Sequence, residues 1–280
     1  MKYTFNLIVI ALMMSFAGCS SDEEQAGEIP GMGTAEGVLQ VVEDYQAPEG
    51  FVIGDGIGVN YGSSNAGVKS YVPSTAALKS GSGWFNSYGS GRFIKIKLTI
   101  TNVKDYGRCC WLPRGLVFEV SDPAYQHGML MCWTPIWLRA NQTRDIILEV
   151  FCINRGRSGS DTSVTYKVKG VTSSPVMKRF FQRLGWRKIN KEFYYGTSAH
   201  QYELKAMAAE DLAKYDEISE NLQEALWTLT DGDGDLTQEQ IDYINSIPLM
   251  PEGTYPAYLD DEGAIPPEDW QEYPMGYSGN

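Results

Sequence analysis

Phe93-Ile94-Lys95-Ile96-Lys97-Leu98-Thr99-Ile100-Thr101 is the run whose reading decides the fold. Its large apolar side chains, Ile94, Ile96, Leu98 and Ile100, alternate with Lys95, Lys97, Thr99 and Thr101. A period of two sends the two sets to opposite faces of a strand, one toward a core and one toward water. The same alternation returns at Leu116, Phe118 and Val120, and at Ile146, Leu148, Val150 and Cys152. It returns again at Val164, Tyr166 and Val168 against Thr165, Lys167 and Lys169. Clusters of Gly, Pro, Asn and Asp separate these runs, so the region 92–171 predicts an antiparallel β-sandwich.

Toward the C-terminus the apolar spacing lengthens from Ser173 onward to about 3.6, the helical repeat. Ser174 followed by Pro175 starts a helix, with the serine as cap and the proline in the first turn. Val176, Phe180 and Leu184 then share one stripe, and Arg179, Arg183 and Arg187 share another, joined by Lys178 and Lys188. This is the basic patch of an acidic chain, a surface for an acidic partner, lipid headgroups or the chain's own tail. A second helix over about 199–229 places Tyr215, Ile218, Leu222, Ala225, Leu226 and Leu229 on one face. A third begins with a capping box between Thr237 and Gln240 and sends Ile241, Ile244 and Ile247 inward until Pro248.

Between these two helices stands Thr230-Asp231-Gly232-Asp233-Gly234-Asp235-Leu236-Thr237. Helix, acidic glycine-bearing loop and helix together resemble an EF-hand, with the loop at 229–240. With that family's central glycine on Gly234, the resemblance implies Asp231, Asp233, Asp235, Thr237 and Gln240 as ligands. Two positions depart from the pattern: Leu229 stands where the first Asp belongs, and Gln240 replaces the closing Glu. A shifted register from Asp231 to Asp242 restores carboxylates but puts Leu236 into a turn that needs glycine. The resemblance implies one calcium ion, bound weakly at about 10⁻⁴ to 10⁻³ M and structural in role.

At the other end, Lys2 precedes the apolar run Leu7 to Met14, which is too short to span a bilayer and ends in small residues, the pattern of a signal peptide. Phe16-Ala17-Gly18-Cys19 resembles a bacterial lipobox, which implies cleavage behind Gly18 and lipidation of Cys19; Phe16 stands where Leu is usual. Ser20-Ser21-Asp22-Glu23-Glu24 resembles the acidic export signal of Bacteroidota-type surface lipoproteins. Together these imply an outer-membrane protein, held by its lipid and facing outside the cell. The composition of 19–36 predicts a flexible acidic tether.

The stretch 37–91 has short apolar runs, of which Val38 to Val42 and Phe51 to Ile53 are the expected strands. Gly54-Asp55-Gly56-Ile57-Gly58 lacks the following helix a phosphate cradle needs and reads as a hairpin or bulge. A Gly/Ser loop carries Trp84, Phe85 and Tyr88, rings that either stack on a glycan or enter the core. Beyond Cys19, Cys109, Cys110, Cys132 and Cys152 leave pairing unassigned, and the adjacent Cys109 and Cys110 face opposite ways in a strand. His127 and His200 accompany no nucleophile motif. Glu119 and Glu149 fall on the non-core faces of their strands, where solvent accounts for them; a carboxylate-dependent surface hydrolase would have to draw on them. Pro113 to Glu119, Tyr125-Gln126 and Phe151 to Asn154 resemble immunoglobulin-like domains of exported bacterial proteins.

The 280 residues allow one large domain or a domain with an added module. A formal net charge of −12 disfavours nucleic acid and anionic membranes as partners. The expected class is α+β: an antiparallel immunoglobulin-like β-sandwich over 37–172, then a helical segment with a helix-loop-helix over 173–247. A signal peptide over 1–18 precedes them, and a Pro-rich acidic tail over 248–280 follows and lies along the body. The function expected is non-catalytic binding or a structural role at the cell surface, with a glycan or protein partner.

Overall fold

The structure, a computed structural model, describes residues 24–59, 84–85, 87–197, 204–207, 209–232 and 234–250, with backbone alone at 84–85, 195–197, 204–207 and 209. The expected signal peptide, Cys19 and the expected tail from 251 lie outside them. The strands are β1 (Phe51–Ile53), β2 (Gly56–Gly58), β3 (Trp84–Phe85), β4 (Ser87–Gly89), β5 (Ile94–Asn102) and β6 (Arg108–Leu112). They continue with β7 (Leu116–Val120), β8 (Gly128–Met129), β9 (Thr134–Leu138), β10 (Thr143–Cys152) and β11 (Thr165–Val171). Helix α1 (Pro175–Leu184), the short strands β12 (Tyr195–Thr197) and β13 (Leu204–Met207), and helices α2 (Ala209–Asp231) and α3 (Gln238–Ser246) complete the described chain.

The longest pairing, β5 with β10, sets the register for the rest. Ile94 faces Val150, Ile96 faces Leu148 and Leu98 faces Ile146, so the apolar sides of both strands coincide. From there the neighbours run β5-β2-β11-β7-β8-β10 and return to β5, which closes six antiparallel strands into a barrel. The coarse class stands, mostly antiparallel β followed by helices, while the pairings form a ring where two facing sheets were expected. Closure removes the exposed sheet edges that an open sheet would leave at these six strands. It requires close approach at β2, where a Cβ on Gly56 would run into Ile96.

Inside the ring, Ile94, Ile96, Leu98, Ile100, Leu116, Phe118, Leu148, Val150 and Tyr166 are wholly buried. Each such side chain contributes about 1.5–3 kcal/mol by leaving water. The ribbon β6–β9 adds Cys110, Leu112, Ile136 and Leu138 to this core, while its other side carries Cys109, Trp111 and Trp133. Cys109 and Cys110 thus face opposite ways as adjacent strand residues must, and all four described cysteines are buried free thiols.

A second core forms on the outer surface of the barrel. Val117, Met129, Phe151 and Ile153 meet Val176, Met177, Phe180, Phe181 and Leu184 of α1, Ile218, Leu222 and Leu226 of α2, and Ile244 of α3. Helix α1 begins as expected, with Oγ of Ser174 accepting from the Met177 N–H at 3.1 Å, and stops at Gly185 with φ +54°. The second helix starts ten residues later than its composition suggested, because β13 occupies 204–207. Val38 to Val42 contribute one isolated bridge, Val41 to Thr172, in place of a strand.

The expected tether is corrected from Glu24 onward. Ile29 and Met32 are 2% and 1% exposed and belong to the second core. The Gly27 N–H donates to the Leu229 carbonyl at 2.8 Å, filling one of the unpaired acceptors at the end of α2. The Glu24 carboxylate accepts from Ser174 Oγ and the Val176 N–H, so it lies on the N-terminus of α1 where the helix dipole favours a negative charge. Residues 24–39 therefore form a strap across the body. Two apolar anchors and satisfied backbone outweigh a glycine-rich composition.

Candidate functional site

Glu119 on β7 and Glu149 on β10 were both expected on solvated strand faces, and the structure separates them. Glu149 is 3% exposed, which corrects the expectation: the outer face of β10 lies beneath α2 and the 3-10 turn Lys191–Phe193. Its carboxylate meets Lys191 Nζ at 2.7 Å and Lys95 Nζ at 3.4 Å, and accepts from Ser87 Oγ and Tyr215 Oη, both at 2.9 Å. Burial alone would push this carboxyl up; the two lysines and the hydrogen bonds outweigh it and hold the group at about 2. Nearby, Glu192 accepts from the Gly89 N–H at 2.7 Å and Asn190 Nδ2 at 2.8 Å. Burial dominates there and lifts its carboxyl to about 7, with the charge of Glu149 adding to the shift. This cluster is a charged seam between barrel and helical layer, with its acceptors already engaged.

Glu119 lines a cleft of about 370 Å³ between the strap and the barrel. Its walls are strap residues from Gly31 to Leu39 on one side and Glu119, His127 and Arg157 on the other. One residue positions both walls. The fully buried Asn154 donates from Nδ2 to the carbonyls of Gly31 and Gly33, each at 3.1 Å, and accepts the His127 N–H on Oδ1 at 3.2 Å. The Gly33 N–H closes the arrangement on the Ile153 carbonyl at 2.6 Å, and at φ +58° a side chain there would fall on the Thr230 carbonyl.

The cleft holds complementary hydrogen-bonding groups. The Val120 N–H donates to Nδ1 of His127 at 3.1 Å, so the neutral ring carries its proton on Nε2. Burial, then the charge of Arg157, hold this imidazole down at about 4 against the opposing pull of Glu119, and it is neutral at physiological pH. Glu119 is bonded to Lys169 Nζ at 3.2 Å. The side chains of Arg157 and Glu36 make no hydrogen bond or ion pair among the described residues, and neither does Nε2 of His127. Val38, 68% exposed, supplies an apolar rim. The arrangement offers a guanidinium fork and a ring N–H as donors, two carboxylates as acceptors and one greasy contact.

The remaining expected residues fall elsewhere. Tyr88 is 4% exposed and belongs to the barrel core with the Arg144 guanidinium 5.6 Å from its ring, so it is corrected from a ligand-stacking ring to a core residue. The side chains of Trp84 and Phe85 lie outside the described residues, as do Cys19, Asp233 and His200. In the acidic loop, Asp231 accepts from the Arg155 N–H at 3.0 and 3.1 Å and from Thr230 Oγ1 at 2.7 Å. Thr237 and Gln240 form the expected capping box, and Gln240 also donates to Thr228 Oγ1 at 2.8 Å. Asp235 is exposed. Among the described residues no three His, Cys, Asp or Glu side chains gather to hold a metal ion.

Sequence reasoning missed Asn154, Arg157 and Glu36 as site residues. Asn154 enters the sequence reading only as the end of the run Phe151 to Asn154 that resembles immunoglobulin-like domains, and no local pattern marks a loop arginine that ends beside a histidine thirty residues earlier. No helix among the described residues is long and apolar enough to cross a membrane. Comparison with protein-family models, curated proteins and solved structures found no match.

Proposed function

We propose that this is a lipid-anchored cell-surface protein with a non-catalytic binding role, and that the strap cleft receives its ligand. The observation that carries the reading is the Arg157 guanidinium, unpartnered among the described residues, opening on the same cleft as the Nε2–H of a neutral His127. Buried or half-buried polar groups left without partners are the ones a ligand completes. Adjacent hydroxyls on a sugar both give and accept hydrogen bonds, and a mixed wall of Arg157, His127, Glu119 and Glu36 answers both. The net charge of −12 favours a neutral glycan over a polyanion.

The anchor rests on the sequence at Lys2, Leu7 to Met14 and Phe16 to Cys19. The strap adds a consequence: Glu24 is fixed on α1, so an acyl group on Cys19 would hold the body within about 18 Å of the bilayer surface, the reach of five extended residues. An immunoglobulin-like kinship of the β-domain is supported by its antiparallel strands, and barrel closure weighs against it. One weak calcium ion at Asp231, Asp233 and Asp235 would compete with the Arg155 N–H for Asp231. The hydrolase reading fares worse than binding. It needs one carboxyl kept neutral by its surroundings beside one that is ionised, in a cleft that a substrate can enter. Glu192 and Glu149 have those two states, but both are buried with their oxygens engaged by Gly89, Asn190, Lys95 and Lys191, while on the cleft Glu119 is held by Lys169 and Glu36 is exposed.

Affinity electrophoresis through dextran, xylan and mannan tests the binding role. Retardation in at least one gel, lost in Arg157→Ala and kept in Trp84→Ala, is expected. Retardation lost only in Trp84→Ala would move the site to the aromatic loop, and none in any gel would remove the glycan. Incorporation of labelled palmitate, abolished by Cys19→Ala, tests the anchor separately.

A further inference from the structure

Helix α1 buries Val176, Met177, Phe180, Phe181 and Leu184 and leaves Lys178, Arg179, Gln182 and Arg183 exposed. Between Pro175 and Lys188 there are five basic residues and no acidic one, in a chain whose formal net charge is −12. The side chains of Lys178 and Arg183 make no hydrogen bond or ion pair among the described residues. Arg187, expected on the same stripe, is excluded from it: its guanidinium donates to the Ile244 carbonyl, to Asn245 Oδ1 at 3.1 Å and to the Leu184 carbonyl at 3.3 Å, tying α3 to the end of α1.

The chain that follows the described body is the chemical complement of this face. Residues 251–280 hold seven acidic residues, five aromatic rings and no Lys or Arg. Where that segment begins is fixed. Arg187 and Leu249 form an antiparallel bridge, the Lys188 N–H donates to the Pro248 carbonyl at 2.7 Å and the Met250 N–H donates to the Trp186 carbonyl at 2.8 Å. An antiparallel bridge sets direction as well as place: from Pro248 to Met250 the chain runs back along Lys188, Arg187 and Trp186, toward the end of α1. The Arg114 guanidinium, 5.0 Å from the Trp186 ring, adds a positive charge at the point of exit.

We propose that the C-terminal segment 251–280 docks on the exposed basic face of α1. Glu252 follows Met250 by two residues and Asp260, Asp261 and Glu262 follow it by ten to twelve, separations long enough for an extended chain to span the helix face of Arg183, Arg179 and Lys178. The helix is only about 15 Å long and thirty extended residues span about 100 Å, so length does not limit the contact. Exposed ion pairs are individually weak, but a tethered segment that brings several to one face forms them at high effective concentration. This inference goes beyond the binding role and does not depend on it.

The full chain carries its own probe, because a Glu-specific protease can cut the segment at Glu252, Glu262, Glu268 and Glu272. At low salt, cleavage at Glu268 and Glu272 should be about tenfold slower in the parent chain than in Lys178→Glu/Arg179→Glu/Arg183→Glu, whose changes lie on exposed positions. The difference should vanish at about 0.5 M salt, where screening shortens to a few ångströms. Adding Asp260→Lys/Asp261→Lys/Glu262→Lys to the reversed helix should restore protection. Equal cleavage rates in the parent and the reversed helix at low salt, with unchanged circular dichroism, would overturn the proposal. So would protection that appears only when phosphatidylglycerol vesicles are added, since the basic face would then belong to lipid.

Discussion

β7 and β10 each turn one glutamate to the outer surface of the barrel, and the two end in opposite surroundings. Glu149 lies under the helical layer with two lysines, a serine and a tyrosine on its oxygens. Glu119 has one lysine and faces a cleft where Arg157, Glu36 and Nε2 of His127 have no described partner. Strand position is the same in both cases; what differs is the element packed outside. A covered charge must be matched by the fold itself, so its chemistry is exhausted in holding the molecule together. An incompletely covered one leaves hydrogen-bonding capacity for something else. That contrast separates the carboxylate the fold has used from the one on which the proposed binding role draws, and neither residue type nor strand register could have done so.

The sharpest way to break the comparison is to neutralise the covered glutamate. Glu149→Gln leaves Lys95 and Lys191, with side chains 13% and 15% exposed, facing an amide in place of an anion. Removing one partner of a buried pair costs about 3–5 kcal/mol. Urea unfolding should show a loss of that size. A loss under about 1 kcal/mol would mean that water reaches the seam and that Glu149 resembles Glu119 after all.

Much of this was legible in the sequence, and the failures have physical causes. The period of two at Ile94 to Ile100 and Ile146 to Cys152 specified which faces enter the core, because a one-residue slip would turn every one of those side chains to water. Ring closure was not legible, since it depends on which strands pair and not on what each strand contains. Ser174-Pro175 and the Thr237/Gln240 box were readable because helix ends are built from local groups. The strap was not. Two buried residues, Ile29 and Met32, sit among glycines whose role is to let the chain lie flat against α2, and that composition also describes a linker. Glu149 was read as solvated because alternation names the face of a strand but not what covers it.

The two regions should also respond to pH in opposite senses. The His127 imidazole lies at about 4 in the fold against an ordinary 6.5, so the stability it contributes is fully present above pH 6.5 and is lost as pH falls from 6.5 toward 4. The unfolded chain takes up a proton there that the folded ring refuses. Glu192 in the seam lies at about 7 against 4.5, so its contribution is present below pH 4.5 and is lost as pH rises from 4.5 to 7. Between pH 7 and 4.5 the parent protein should therefore lose about 2–3 kcal/mol relative to His127→Asn. Parallel stability curves for the two proteins would show that the cleft wall is wetter than its geometry states.

The smallest effect on stability is the most telling for function. Arg157 lines the cleft, bonds to no described side chain and is intermediate in exposure, so Arg157→Ala removes no contact on which the fold depends. Its urea midpoint should stay within about 0.5 kcal/mol of the parent, the range of substitutions away from buried networks. The same change also relieves the positive charge beside His127, so the imidazole should titrate higher, in a direction readable by NMR of its Cε1 proton. A cost of several kcal/mol would put Arg157 in the same class as Glu149, a group the fold has already used. A silent change in stability with a displaced His127 titration would show instead that the guanidinium faces the ring across the cleft and is held there for a ligand.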